Sequence, residues 1–134
     1  MTMKRSLAVI AAAAALWATA PALAAPAPGD WTEVTSAADG KSKESVDRSS
    51  IVRTGPVVRF MQRSDYINDP DHWVSALVDV EINCETRQMR PRAMTLTLDN
   101  GKQRSETSEG TFEAVNPDTV GEDVMRYVCK KPGT

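Results

Sequence analysis

The chain has 134 residues with 16 basic and 18 acidic side chains and one histidine, which gives a formal net charge of −2. Without Lys4 and Arg5, which lie in a segment expected to be removed, 14 basic and 18 acidic side chains remain and the net charge is near −4. That acidic balance argues against a general nucleic-acid binder. A single histidine also leaves little from which to build a Ser–His or Cys–His catalytic pair, so we expect no enzyme and no cofactor.

The N-terminus has the three parts of a secretory signal peptide over residues 1–24. Lys4 and Arg5 form the charged region, Leu7 to Ala20 the apolar region, and Ala22-Leu23-Ala24 an A-x-A cleavage site. The apolar run is shorter than the roughly 20 residues that a membrane span needs. We therefore expect export to the periplasm or the cell surface with no integral membrane segment. The remaining chain is expected to comprise a short leader at 25–29 and a single domain at 30–134.

Short runs separated by turn residues predict a series of β-strands. The first three are DWTEVT (30–35), SKESVD (42–47) and VVRFMQRSDY (57–66), separated by ADGK (38–41), a bend at RSSI (48–51) and the Gly55-Pro56 turn. The fourth runs from Trp73 to Cys84, where the even positions from Val74 to Ile82 are apolar and most odd positions are polar. Cys84 continues the even register, so its side chain is expected to point toward the core.

A fifth strand, MRPRAMTLTL (89–98), is followed by Asn100-Gly101, a dipeptide that favours a tight hairpin into KQRSETS (102–108). Proline cannot donate a ladder hydrogen bond, so Pro91 is expected at the start of its strand, at a bulge or at a sheet edge. Several adjacent strands followed by one helix make an α+β domain, here an antiparallel sheet of about six strands.

One C-terminal helix is predicted after Pro117. Thr119 to Glu122 fit a capping box, and a Lys-Lys-Pro run at 130–132 supplies a stop. At about 100° per residue, the apolar side chains share one arc and Glu122 falls on the polar arc. Gly121 falls within the apolar arc and would let the helix approach the sheet closely.

Cys84 and Cys129 are the only two cysteines. An even pair in an oxidising compartment usually forms a disulfide, and no C-x-x-C motif indicates a redox catalyst. Cys84 is expected on the core face of its strand, and Cys129 falls at the edge of the apolar arc of the helix. We therefore predict a disulfide that ties the helix to one face of the sheet, worth about 4 kcal/mol in the chain-entropy model.

Several short motifs follow one another between Trp31 and Cys129. They are Trp31-x-x-Val34, DGK (39–41), SVDRSSI (45–51), a strand ending in Tyr66, INC (82–84), DNGK (99–102), NPDTVGE (116–122) and YVC (127–129). In this order and spacing, the chain resembles the surface-adhesin protein E-like domain family over essentially all of residues 30–129. The resemblance implies an antiparallel sheet with a C-terminal helix held on one face by the disulfide, and an adhesin that engages host or matrix proteins.

The loop NDPDHW brings Asp69, Asp71 and His72 close together, and all three are metal-ligand types. The same loop is typical of a polar turn leading into a strand, since Asn68, Asp69 and Pro70 all favour turns. We favour the turn and expect no metal site.

Arginines are the strongest candidates for a partner-binding surface. The third strand supplies Arg59 and Arg63 on one face, and the fifth supplies Arg90 and Arg92. If these strands are neighbours, the four guanidiniums form a positive patch suited to carboxylate, sulfate or phosphate groups. The alternative is an ordinary solvated face on which the arginines pair with carboxylates of the intervening strand, namely Asp79, Glu81 and Glu85.

Trp31 and Trp73 remain after signal cleavage and are rival anchors for a partner, but we expect them to pack in the core. Two functions fit these patterns. The first is an exported, non-catalytic module of the bacterial envelope that binds another protein or an acidic ligand. The second is a small periplasmic protein with a structural or envelope-maintenance role. An exposed strand edge would also allow a dimer.

Overall fold

A computed structural model of the chain describes residues 29–108 and 110–130. The signal peptide predicted at 1–24 and all of the leader except Gly29 lie outside these ranges, as do residues 131–134 of the predicted domain. Within the two ranges, no helix is long and apolar enough to cross a membrane.

One antiparallel sheet contains all the strands of the described chain. They are β1 (Trp31–Ser36), β2 (Ser42–Asp47), β3 (Val52–Thr54), β4 (Val57–Tyr66), β5 (Trp73–Asn83), β6 (Gln88–Leu98), β7 (Gln103–Thr107) and β8 (Glu113–Ala114). The main path follows the order β1-β2-β4-β5-β6-β7, while β3 pairs with β4 and β8 with β6. The predicted antiparallel sheet of about six strands is confirmed. β3 and β8 also belong to the sheet. They were not predicted, because strands of two or three residues leave no periodic pattern in a sequence.

The C-terminal helix α1 (Val120–Cys129) begins where the capping box predicts. Thr119 is the N-cap, and its hydroxyl oxygen accepts a hydrogen bond from the backbone N–H of Glu122 at 3.3 Å. The apolar side chains of α1 share one buried cluster with those of the sheet, including Val124, Met125 and Val128 with Val46, Val58, Phe60, Val80 and Ile82. This shared core confirms one apolar side of the helix.

The predicted disulfide is confirmed. Cys84, the first residue after β5, is bonded to Cys129, the last residue of α1, and their Cα atoms lie 5.8 Å apart. Both cysteines pack against the buried cluster. The bond therefore joins the C-terminal end of the helix to the sheet.

The prediction that Glu122 lies on the solvent-facing polar arc of the helix is wrong. Its side chain is 9% exposed, although helical periodicity placed it toward solvent. The carboxylate pairs with Arg126 one turn along the helix and with Arg87 at 3.6 Å, in the turn between β5 and β6. A carboxylate can be buried at this position because two cations neutralise it.

Three residues that the sequence places in the core lie elsewhere. Trp31 and Trp73 are half-buried and belong neither to the buried cluster nor to the side chains packed against it. Val74 is 39% exposed. The pairing register of β5 with β6 shifts between Trp73 and Ser75, so Val74 is an extra residue that the strict alternation did not anticipate.

Candidate functional site

The four predicted arginines lie on one face of the sheet, in the strands β4 and β6 that flank β5. Arg59 of β4 stands opposite Glu81 of β5, and Glu81 stands opposite Arg90 of β6. Residues in such a cross-strand row share a face and lie within side-chain reach. We call this surface the outer face. Its charged and aromatic members include Trp31, Arg59, Arg63, Asp65, Asp79, Glu81, Arg90, Arg92 and Phe112, and the pairing register adds Glu33, Lys43 and Asp47.

Pro91 controls which charges meet on the outer face. Val80 pairs with Pro91 whereas Asp79 pairs with Ala93, so β6 has a bulge in which Arg92 is the extra residue. Without this bulge, Arg92 would stand opposite Asp79. Pro91 was expected at a strand start, a bulge or an edge, and in the structure it lies at a bulge. At a bulge, the missing backbone N–H of proline costs little.

Glu81 receives two guanidiniums as a result. Arg90 donates from Nε to Oε2 of Glu81 at 2.9 Å, and Arg92 donates from Nη1 to Oε1 at 2.5 Å. The Glu81 side chain is only 10% exposed, against 31% for Arg90 and 33% for Arg92. The hydrogen bond from Arg92, followed by that from Arg90, lowers the pKa of Glu81 despite the opposing effect of burial.

Arg59 forms a bidentate ion pair with Asp79. Its Nε donates to Oδ1 at 3.0 Å and its Nη2 donates to Oδ2 at 2.6 Å. These hydrogen bonds raise the pKa of Arg59 further, so the guanidinium stays charged. Parallel hydrogen bonds of this kind hold the guanidinium in one orientation.

Aromatic rings hold two of the arginines. The Cζ atom of Arg63 lies 4.9 Å from the ring centroid of Trp31, and that of Arg90 lies 4.5 Å from the centroid of Phe112. Arg63 also contacts Asp65 at 3.2 Å. Both stacks have cation–π geometry, so Trp31 belongs to the outer face instead of the core.

A comparison with models of protein families assigns the described chain to a family. The family model described as Surface-adhesin protein E matches residues 31–130, from the start of β1 to the residue after α1. The chain belongs to the surface-adhesin protein E family. The motif resemblance seen in the sequence is thereby confirmed. No curated protein and no solved structure matches the chain.

On the outer face of this surface-adhesin protein E domain, arginines are paired with carboxylates, so the face is not a patch of unpaired positive charges. Asp79 and Glu81 provide the pairing that the alternative interpretation anticipated, whereas Glu85 lies in the turn after β5. Three arginines nevertheless share these two carboxylates, which leaves one local positive charge. A role of the arginines in binding a partner stays a prediction.

The sequence contained a signal for placing Trp31 on the outer face but none for Phe112. Trp31 and Val34 have opposite parity in the first strand, so they could not both face the core, and Val34 is the one that packs against it. Phe112 precedes β8, a strand of two residues, and no sequence pattern signals its stack on Arg90.

His72 lies away from the outer face, in the loop between β4 and β5. Its Nδ1 is 3.0 Å from Oδ2 of Asp99, and its side chain is 71% exposed. Within residues 29–108 and 110–130, no three His, Cys, Asp or Glu side chains are grouped to hold a metal ion. The loop follows the predicted turn chemistry, since Asp69 Oδ2 accepts from the backbone N–H groups of Asp71 and Trp73 at 3.0 and 3.3 Å.

Proposed function

We propose that this member of the surface-adhesin protein E family is an exported, non-catalytic module that binds another protein at the bacterial envelope through its outer face. Family membership supports a surface role and a molecular partner. The signal-peptide pattern at 1–24 supports export. The single observation that carries the choice of face is the set of arginines held by carboxylates and aromatic rings.

A fixed arginine is well suited to a protein interface. Arginine and tryptophan are enriched among the residues that contribute most to binding. Arg59 is held by two hydrogen bonds, Arg63 by Trp31 and Asp65, and Arg90 by Glu81 and Phe112. Because these side chains are already ordered, less conformational entropy is lost when a partner docks.

The charge balance at the centre of the outer face indicates the partner's chemistry. Arg59, Arg90 and Arg92 carry three positive charges against the two negative charges of Asp79 and Glu81. An acidic group on the partner would neutralise the remaining charge. Such a contact mainly sets the association rate, so binding should weaken as ionic strength rises.

Location separates this function from a structural role in the periplasm. Protease treatment of intact cells, with a periplasmic protein as control, should remove the protein if it is displayed on the surface. Protection until the outer membrane is opened would contradict the adhesin role and favour the periplasmic one.

The outer face is tested by paired arginine variants. The double variant Arg63→Ser/Arg92→Ser should weaken binding to a partner captured by crosslinking on intact cells and reduce its salt dependence. The matched control Arg53→Ser/Arg104→Ser removes the same charge away from the outer face and should bind as the parent protein does. Equal affinities and salt slopes for two folded variants would refute the outer face as the binding surface.

A dimer is a separate question. β7 ends the main path of the sheet, and each of its residues is exposed. An exposed edge of this kind can pair with a strand from a second copy. Sedimentation of the purified protein at several concentrations would test the prediction.

A further inference from the structure

A small cavity lies at the end of the sheet formed by the β4–β5 loop and the β6–β7 turn. It has a volume of about 350 Å³, within the range of small-ligand sites. Its lining comprises Tyr66, Asn68, Asp69, His72, Trp73, Val74 and Asp99. None of these belongs to the outer face, so the cavity is independent of the binding surface proposed above.

The cavity is built on an ordered loop. Asn68 and His72 adopt left-handed backbone conformations, with φ of 51° and 64°. The N–H of His72 donates to the carbonyl of Asp69 at 2.9 Å, and the N–H of Asp99 donates to the carbonyl of His72 at 2.9 Å. These hydrogen bonds tie the loop to the β6–β7 turn, so the two walls are held together before any ligand binds.

Two features of the lining, its aromatic rings and its carboxylates, both attract cations. Tyr66 and Trp73 are aromatic, and the face of an aromatic ring carries partial negative charge. Asp69 and Asp99 are anionic, and within the described residues neither Oδ1 atom takes part in a hydrogen bond. No lysine or arginine of the described chain lines the cavity, and His72, the one basic side chain in the lining, contacts Oδ2 of Asp99 through Nδ1 at 3.0 Å. Anionic ligands are therefore disfavoured, while cations are attracted by both the rings and the carboxylates.

The surroundings add apolar contact. Val74 of β5 lines the cavity and is 39% exposed. Ile67, which is 43% exposed, stands in the β4–β5 loop between the lining residues Tyr66 and Asn68. Exposed apolar side chains beside a cavity favour a ligand that carries alkyl groups next to its charge. A bare metal ion would gain nothing from them.

We propose that this cavity is a binding site for an organic cation, an ammonium or guanidinium group with alkyl substituents. The group would sit against Tyr66 and Trp73, with its charge facing Asp69 and Asp99. A small molecule or a basic side chain of a protein supplies the same chemistry, and different probes distinguish these sources.

Tryptophan emission of the purified exported protein provides a direct test, because Trp73 lines the cavity. The probes are choline, N-acetyl-lysine amide and N-acetyl-arginine amide, titrated at constant ionic strength. The uncharged isostere of choline, 3,3-dimethylbutan-1-ol, is the control ligand. We expect a saturable change in emission with at least one cation and none with the isostere. Saturation by choline alone indicates a small-molecule ligand, and saturation by an amino-acid amide indicates a basic side chain of a protein.

Single variants test whether the change in emission comes from Trp73 and whether the Asp99 carboxylate binds the cation. Trp73→Phe should abolish the change in emission, whereas Trp31→Phe should retain it. Asp99→Asn should weaken cation binding at least about fivefold, as expected for the loss of one opposing charge. Its control is Asp71→Asn, which removes an equal charge from the same end of the sheet but outside the lining, and should leave the affinity within about twofold. No saturable change with any cation, equal binding of the uncharged isostere, or binding of neutral methyl glycosides instead would overturn the proposal.

Discussion

Breaking the ion pair between Arg92 and Glu81 should destabilise the fold by an amount that depends on pH. Arg92→Ala leaves the Glu81 carboxylate with Arg90 alone, and Glu81→Gln removes the charge while keeping the shape. Two opposite charges about 4 Å apart at an effective dielectric constant of about 20 attract by about 4 kcal/mol. Desolvation of Glu81, and solvent screening of a guanidinium that is 33% exposed, reduce the net coupling to about 1–2 kcal/mol.

The pH dependence follows from the lowered pKa of Glu81. Because the pKa is lower in the folded protein than in the unfolded chain, the ionised carboxylate stabilises the fold fully above the unfolded value, about 4.3. This stabilisation is lost as pH falls through the lower folded pKa, where the carboxylate becomes protonated. The Glu81→Gln variant should lack this component of acid sensitivity.

Urea unfolding of the parent, both single variants and the double variant yields the coupling free energy as a double-mutant cycle. We expect about 1–2 kcal/mol at about pH 7 and a much smaller value at about pH 2. The exposed pair Arg104 and Glu106 is the control cycle and should give less than about 0.5 kcal/mol. A coupling below about 0.3 kcal/mol at neutral pH, or one that does not change with pH, would refute the electrostatic reasoning.

Three further predictions concern the disulfide, His72 and Gly121. Native protein should be lighter than its reduced formula by two hydrogen atoms, and Cys84→Ser/Cys129→Ser should lower the free energy of unfolding by up to about 4 kcal/mol. Two alkylatable thiols in protein from its native compartment would contradict the bond. His72→Ala should change stability by less than about 1 kcal/mol, because the side chain is 71% exposed; a loss above about 2 kcal/mol, or stoichiometric metal in the purified protein, would overturn this. Gly121→Ala should raise the free energy of unfolding by up to about 1 kcal/mol, since an added Cβ would meet its nearest neighbours, Thr119, Met89 and Val115, at 3.6–3.8 Å; a melting temperature below that of the parent would show that the helix needs the glycine.

Local patterns were sufficient to predict much of the fold. The β2 and β4 bounds coincide with the predicted runs 42–47 and 57–66, and β6 differs by one residue at its start. α1 begins after Thr119, as the capping box predicts. These features depend on residues a few positions apart, where strand alternation, turn chemistry and capping all act.

The candidate site was predicted less completely. Strand parity predicted that Arg59 and Arg63 share one face of their strand, and it grouped Arg90 with Arg92. Only the strand order and the pairing register put both pairs on one face of the sheet, and the individual contacts of the arginines did not follow from the sequence. The bulge at Pro91 turns Arg92 toward Glu81, and a second register shift leaves Val74 exposed. A proline indicates that a strand is interrupted, but the partner strand decides whether the interruption becomes an edge or a bulge.

The sequence by itself determined the six strands of the main path, the helix start, the pairing of Cys84 with Cys129 and the family. Only the tertiary structure decided which charges neutralise one another, where Trp31 lies and why Glu122 is buried. The physical reason is the range of the interactions. Secondary structure and caps arise within a few residues of chain, whereas an ion pair or a stacked ring joins groups that only a specific strand order and register bring within a few ångströms of each other.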